Sequence, residues 1–233
     1  MMVSKGIENT GFVMPKDAYD TGKDMPTFDA YLTIIVRDSE GKIVKVHRQR
    51  SHSPTFNFIL LFLPLQYFID CNCVVSVENT GGTTNLFVAC TTSSCGDISY
   101  PNAATNAPTY LVMIQVGNGS QSNPFNAYKL ASPIANGSGS GQLVYGIPSV
   151  SPNIYVSGNS AYFTISQTFN NSSGGTVTIT EVGIITQVQI TYAYSTETVN
   201  FGQLLVWYDV LSSAISVPNG GSVTIYYTFT VNP

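Results

Sequence analysis

Along most of the chain apolar and polar residues alternate with a period of two, and Gly, Asn and Pro interrupt the alternation at intervals. Tyr31-Leu-Thr-Ile-Ile-Val-Arg37 and Lys42-Ile-Val-Lys-Val-His-Arg48 flank Asp38-Ser-Glu-Gly41, so two β-branched runs around a Gly-containing turn predict a β-hairpin. Within the second run, Val44, Val46, Arg48 and Arg50 share one face, and Ile43, Lys45, His47 and Gln49 share the other. Ser53 and Pro54 then offer an N-cap and a proline at the first helical position, opening the stretch from Phe56 to Leu63. One short hydrophobic helix is expected, ending or kinking near Pro64.

From Val74 onward strands and turns succeed one another. Strands are expected at Val74 to Glu78, Asn85 to Thr91, Tyr110 to Val116, Gln142 to Ile147, Ala161 to Phe169, Thr176 to Gln189, Gln203 to Leu211 and Ser222 to Val231. Turns fall at Gly81-Gly82, Asn170 to Gly175 and Pro218 to Gly221. Eight strands of this spacing suit a mainly β, antiparallel, jelly-roll-like sandwich. Leu204, Val206, Tyr208 and Val210 lie on one face and Leu205, Trp207 and Leu211 on the other, so this strand is expected to be covered on both sides. Thr176, Thr178 and Thr180 alternate with Val177 and Ile179, which predicts one wet face. The resulting division is an extended arm over 1–27, a hairpin and helix over 28–80 that anchors the chain, and the sandwich over 81–233. Whether residues 28–80 stand apart or complete the sandwich is open at this level.

Charge changes the picture more than length does. Only 9% of the 233 residues are Asp, Glu, Lys or Arg, against about 25% in ordinary soluble proteins. Ser, Thr, Asn, Gln, Gly and Tyr therefore do the work of hydrating the surface. Eight of the nine basic residues precede position 51, and residues 51–233 carry Lys129 against Asp70, Glu78, Asp97, Glu181, Glu197 and Asp209, a net of 1 − 6 = −5. Such a balance argues against nucleic-acid binding by that part. The apolar run from Phe56 to Ile69 includes Asn57, Pro64 and Gln66 and is shorter than the ~20 residues a membrane-crossing helix needs. No basic and apolar leader of the secretory kind opens the sequence. A protein made in the host cytoplasm and released within a virion reconciles this with a composition of extracellular character.

Three stretches point the same way: Lys129-Leu-Ala-Ser-Pro-Ile-Ala135 with Gly141-Gln-Leu-Val-Tyr-Gly146; Phe169-Asn-Asn-Ser-Ser-Gly-Gly-Thr-Val-Thr-Ile-Thr-Glu-Val-Gly183; and Asp209-Val-Leu-Ser-Ser-Ala-Ile-Ser-Val-Pro-Asn-Gly-Gly-Ser-Val-Thr224. They resemble jelly-roll-containing virion structural proteins of tailed phages and archaeal viruses. Val36 to Val44, leading into His47-Arg-Gln-Arg-Ser-His-Ser53 and the hydrophobic helix, resembles the first domain of such proteins. The scarcity of charge and the wealth of Tyr, Asn, Ser and Thr are similar to proteins of viruses infecting hot-acid archaea, including turret, spike or penton-type proteins of turreted icosahedral ones. The resemblance implies assembly with copies of itself and other virion proteins; pattern and composition, which offer no nucleophile or metal set, lead us to expect no catalysis and no cofactor. Alternatives from other classes are a host-surface or glycan-binding module, a cellular extracellular filament or adhesin subunit, and a hydrolase.

The residues able to carry chemistry are few. Cys71, Cys73, Cys90 and Cys95 can form disulfides, remain buried thiols, or, as a weaker alternative, supply four thiolates to zinc, although neither spacing is the usual Cys-x2-Cys knuckle. Glu181 and Asp209 are the carboxylates within strongly patterned strands, but nothing brings them together as glycoside hydrolysis requires. Asp209, beside a turn, is expected to cap backbone N–H groups. Lys42, Lys45, His47, Arg48, Arg50 and His52 form a basic cluster suited to docking acidic loops of neighbouring subunits, or to contacting nucleic acid or an anionic membrane. Sequons begin at Asn118, Asn136, Asn170 and Asn171, each on an expected loop.

Overall fold

The computed structural model describes residues 27–51, 53–58, 73–82, 84–89, 97–99, 112–151, 154–191 and 198–232. The chain is mainly β. In order, the strands are β1 (Thr27–Arg37), β2 (Ile43–Ser51), β3 (Cys73–Glu78), β4 (Thr84–Ala89), β5 (Asp97–Ser99), β6 (Val112–Gly117) and β7 (Val144–Tyr145). They are followed by β8 (Ser149–Val150), β9 (Tyr155–Ser157), β10 (Ser160–Asn170), β11 (Val177–Thr191), β12 (Thr198–Val217) and β13 (Ser222–Asn232). The larger sheet has the order β2-β1-β13-β10-β7, with β8 and β9 pairing along the same edge of β10 as β7. The smaller has β12-β11, with β5 and β6 both pairing to the far side of β11, and β3 pairs with β4 alone. Every pairing is antiparallel.

The two larger sheets face each other because each has one apolar face to bury. Leu32, Ile34 and Val36 of β1, Phe169 of β10 and Val223, Ile225 and Tyr227 of β13 are fully buried from one side. Ile114 and Val116 of β6, Ile179 and Val182 of β11 and Ile215 and Val217 of β12 meet them from the other. Gln167 ties the sheets together within this layer: its Oε1 accepts from the Ile114 N–H at 2.7 Å and its Nε2 donates to the Gly146 carbonyl at 2.9 Å. A buried amide with both ends satisfied in this way costs little to desolvate.

The expected hairpin is present, with Asp38 Oδ1 accepting from the N–H groups of Glu40 and Lys42 and Gly41 at φ +81° closing the turn. Its place in the architecture is the main finding about the N-terminal region. Strand β1 lies between β2 and β13 and pairs with β13 through eleven residues, from Thr27↔Asn232 to Arg37↔Ser222. The hairpin thus supplies two strands of the larger sheet of the sandwich. Residues 1–26, expected as an arm, lie outside the described residues.

The helix begins later than its sequence signals suggest. Pro54 forms a β-bridge with Trp207, the Ser53 carbonyl accepts from the Tyr208 N–H at 2.9 Å, and the Thr55 N–H donates to the Val206 carbonyl at 3.1 Å. Ser53 and Pro54 therefore extend the edge of the smaller sheet rather than cap a helix; proline suits an edge because it has no N–H to leave unpaired. Helical backbone starts at residue 56 and is described to residue 58. Phe58 meets the Trp207 ring edge to face at 5.4 Å.

Two further departures have local causes. The strand expected over Gln142 to Ile147 is reduced to the two-residue β7, because Pro148 interrupts the ladder and the chain rejoins β10 only as β8 and β9. The turns at Asn170 to Gly175 and Pro218 to Gly221 are present and interlock. Asn171 is 1% exposed, and its Nδ2 donates to the carbonyls of Gly175 and Val217, both at 2.8 Å. Gly174 and Gly220 take positive φ, and the Gly174 N–H donates to Asn219 Oδ1.

Candidate functional site

The two strand carboxylates have separate structural settings. A plain period of two would put Glu181 in the core beside Val177 and Ile179. Instead the β11–β12 register shifts between Ile179 and Glu181, and Val182 and Ile184 take up the inward positions. A bulge of this kind re-aims the side chains it contains. Glu181, fully buried, turns to the outer face of the smaller sheet, under the loop that follows β6. There Oε1 accepts from the N–H groups of Ser132 (2.7 Å) and Gly119 (3.1 Å), and Oε2 from the Ala131 N–H (2.9 Å) and the Tyr208 hydroxyl (2.7 Å). Tyr208 in turn accepts from the Gln121 N–H at 2.9 Å; burial, then the Glu181 hydrogen bond and charge, raise its phenol well above the ordinary range. Gly117 and Gly119 make this close approach possible, since a Cβ at Gly117 would lie 2.3 Å from Glu181 Oε1 and 2.6 Å from the Ser132 carbonyl oxygen.

A second shift, between Ile184 and Ile185, leaves Val206 as an extra residue on β12. The strand is covered on both sides as its sequence suggests, but the faces divide differently. Leu204, Val206, Trp207 and Leu211 enter the inter-sheet core, and Leu205 and Tyr208 pack with Ala127, Leu130 and Ile185 under the loop. Asp209 follows Tyr208 and so points inward, 3% exposed. It is not a cap beside a turn, as expected, but an acceptor deep in the sandwich: the hydroxyls of Ser51 (2.5 Å) and Tyr227 (2.9 Å) both donate to Oδ2, and the Trp207 indole N–H donates to Ser51 Oγ. Glu181 and Asp209 thus lie on opposite faces of one sheet.

Burial raises the Asp209 carboxyl above its ordinary 3.8, although the hydrogen bonds from Ser51 and Tyr227 oppose the shift. A raised carboxyl binds its proton more readily in the folded than in the unfolded chain. Its contribution to stability is therefore complete below the unfolded value and is lost as pH rises through the raised folded one. Above about pH 4 the stability of the wild type, measured relative to Asp209→Asn by chemical unfolding, is expected to fall as pH rises. A difference that is flat with pH would contradict the assignment.

Alternation divides the basic cluster between two surfaces, with the faces expected from the sequence. Lys45, His47 and Gln49 turn toward β12: Lys45 Nζ donates to the Ala214 carbonyl at 2.9 Å, Gln49 Nε2 to the Val210 carbonyl at 3.1 Å, and His47 meets Gln49 Oε1 at 2.9 Å. These contacts close one side of the sandwich. Val44, Val46, Arg48 and Arg50 are exposed on the outer face of the larger sheet, and Arg50 pairs with Asp29. Lys42 is exposed beside the turn, and His52 lies outside the described residues.

The outer face of the larger sheet is a flat field of hydroxyl groups and tyrosines. Register places Arg50, Tyr31, Thr228 and Thr164 in one row, and Arg48, Thr33, Tyr226 and Ser166 in the next. Hydroxyl pairs Thr164–Thr228 (3.1 Å) and Thr168–Thr224 (2.9 Å) join β10 to β13 within rows, and Tyr155 stacks on Tyr162 at 5.4 Å. At the β10 edge this face meets an apolar margin, where Ile147, Ile154 and Val156 are 75%, 69% and 74% exposed, with Val150 and Tyr155 about half exposed.

Cys71, Cys90 and Cys95 lie outside the described residues, and of Cys73 only the backbone register, opposite Ala89, is described. No cluster of three or more His, Cys, Asp or Glu side chains able to hold a metal occurs among the described residues. Of the sequons, Asn118, Asn136 and Asn170 are exposed, whereas burial of Asn171 removes it as an acceptor in the folded chain. Among the described residues no helix is long and apolar enough to cross a membrane. Comparison with protein-family models, curated proteins and solved structures finds no match to the chain.

Proposed function

We propose that the chain is a structural subunit of a virus particle, a capsid, turret, spike or tail protein whose role is assembly rather than turnover. The observation that carries the reading is the margin of the larger sheet. Residues 144–157 contain no Asp, Glu, Lys or Arg, and Ile147, Ile154 and Val156 stand about three-quarters exposed there. Monomeric proteins guard sheet edges with charge and keep apolar patches small. An exposed apolar margin without charge suits a lateral contact between subunits made through side chains.

The resemblance of the three quoted stretches to virion proteins supports the viral setting, and the low charge of the sandwich suits close packing among copies. Localisation in the virion and partnership with other virion proteins belong to the same proposal. Glu181 accepts at both oxygens and Asp209 at Oδ2, on opposite faces of one sheet, an arrangement that favours a structural over a hydrolytic role.

Analytical ultracentrifugation of the full chain tests the proposal. The wild type is expected to self-associate in a concentration-dependent manner, and the double substitution Ile154→Asp, Val156→Asp to weaken association by about tenfold or more. Both side chains are mostly exposed, so the thermal midpoint is expected to stay within about 2 °C of the wild type. A wild type that stays monomeric at the highest attainable concentration, or a variant that associates equally well, would contradict it.

A further inference from the structure

The corner of the larger sheet farthest from the apolar margin holds a groove of about 590 Å³ lined by Tyr31, Thr33, Arg48, Arg50 and Thr228 over the backbone of Leu32 and Gln49. We propose that this groove binds a carboxylated sugar, such as a uronic or sialic acid at the end of a surface glycan. Three properties of the groove lead to this ligand class.

First, the two arginines are not equivalent. Arg50 is neutralised by Asp29, whereas Arg48 has no ion pair or hydrogen bond among the described residues. One free guanidinium presents a planar fork that matches one carboxylate. A phosphate chain or sulfated polymer would call for several cations, and the Arg50–Asp29 pair leaves the groove with a single net positive charge.

Second, Tyr31 is 47% exposed beside that guanidinium, because β1 places it outward between the buried Ala30 and Leu32. An exposed phenol ring on a rigid strand offers a flat apolar surface for the C–H face of a pyranose without ordering a loop. Third, Thr33 and Thr228 add hydroxyls that both donate and accept, the complement of sugar hydroxyl groups. Thr33 lies opposite Arg48 and Thr228 opposite Tyr31, so ring, hydroxyls and cation fall in adjacent rows of one sheet. The order β2-β1-β13-β10-β7 sets the groove at the opposite edge from the apolar margin, so lateral packing through β7 to β9 leaves it open.

Chemical-shift titration of the full chain with sialyllactose, with a hyaluronan tetrasaccharide, with lactose and with 3′-sulfolactose, which carries a sulfate and no carboxylate, tests the proposal. At least one carboxylated sugar is expected to bind with a dissociation constant of about 1 mM, and lactose about tenfold more weakly or not at all. Arg48→Gln and Tyr31→Ala are each expected to reduce carboxylated-sugar binding by about tenfold. An unchanged amide spectrum away from the groove verifies that the variants fold. The proposal is overturned if none of the four sugars binds, if lactose binds as well as sialyllactose, if the sulfated sugar binds best, or if Arg48→Gln leaves affinity intact. A monomeric wild type in ultracentrifugation would remove the assembly reading and leave this one standing.

Discussion

A chain lacking residues 1–70 is expected not to fold at all. The deletion removes β1 from the middle of the larger sheet and, with it, Leu32, Ile34 and Val36, each fully buried. Burial of such side chains contributes about 1.5–3 kcal/mol apiece, which for three already approaches the 5–15 kcal/mol by which whole domains are stable. The loss also frees eleven residues of the β13 edge and takes Ser51 away from Asp209 and Trp207. Circular dichroism and an amide correlation spectrum check the outcome: no cooperative unfolding transition and no dispersed resonances are expected. A truncated chain that unfolds cooperatively would show that β1 is dispensable to the sandwich. Loss of particle incorporation on truncation would therefore report lost folding, so anchoring by the N-terminal region is better probed at exposed positions such as Val44 and Val46.

Glu181→Gln is expected to cost about 3–5 kcal/mol in a denaturant titration. The carboxylate accepts from three backbone N–H groups and one phenol, all from its place beneath a loop. Glutamine has the same shape but only one acceptor atom. In the Oε1 place its NH2 faces the Ser132 and Gly119 N–H groups, and in the Oε2 place it faces the Ala131 N–H and turns the Tyr208 hydroxyl from donor to acceptor, so buried donors lose their partner at about 1–3 kcal/mol each either way. Tyr208→Phe removes one of the four donors and strands the Gln121 N–H, so a smaller loss of about 1–2 kcal/mol is expected. A change below about 1 kcal/mol for Glu181→Gln would mean that water substitutes freely for the carboxylate.

These two cases also mark where the sequence was legible. The hairpin, its turn, both faces of β2 and the two Gly-containing turns near the C-terminus follow from alternation and turn chemistry, which act locally. The position of Glu181 does not, because the register shift between Ile179 and Glu181 reverses the alternation of β11; Asp209 keeps the period of Trp207 and Leu211, but only the fold decides which face of β12 the larger sheet covers. Nothing in the local composition at Leu211 to Ala214, which face Thr180 alone, or at Val206 announces extra residues in the ladder. A Glu in a charge-poor strand, with Gly117 and Gly119 elsewhere in the chain to admit backbone close by, is the one signal from which a clamp could be read. Likewise, Ser53-Pro54 carries the same residues whether it opens a helix or lines a sheet edge; pairing with Trp207, 153 residues away, decides it. Local sequence groups Lys42 to His52 as one basic cluster, and only the fold separates Arg48 from the partners Asp29, Ala214 and Val210 that hold its neighbours.

Packing through the apolar margin is the claim on which the functional reading rests, and electron cryomicroscopy of the native assembly that contains the chain tests it most directly. The account predicts closed-particle or tail symmetry, with residues 144–157 covered by a neighbouring subunit and the Arg48 groove facing outward. A cellular filament, or a particle in which Ile147, Ile154 and Val156 face solvent, would contradict it.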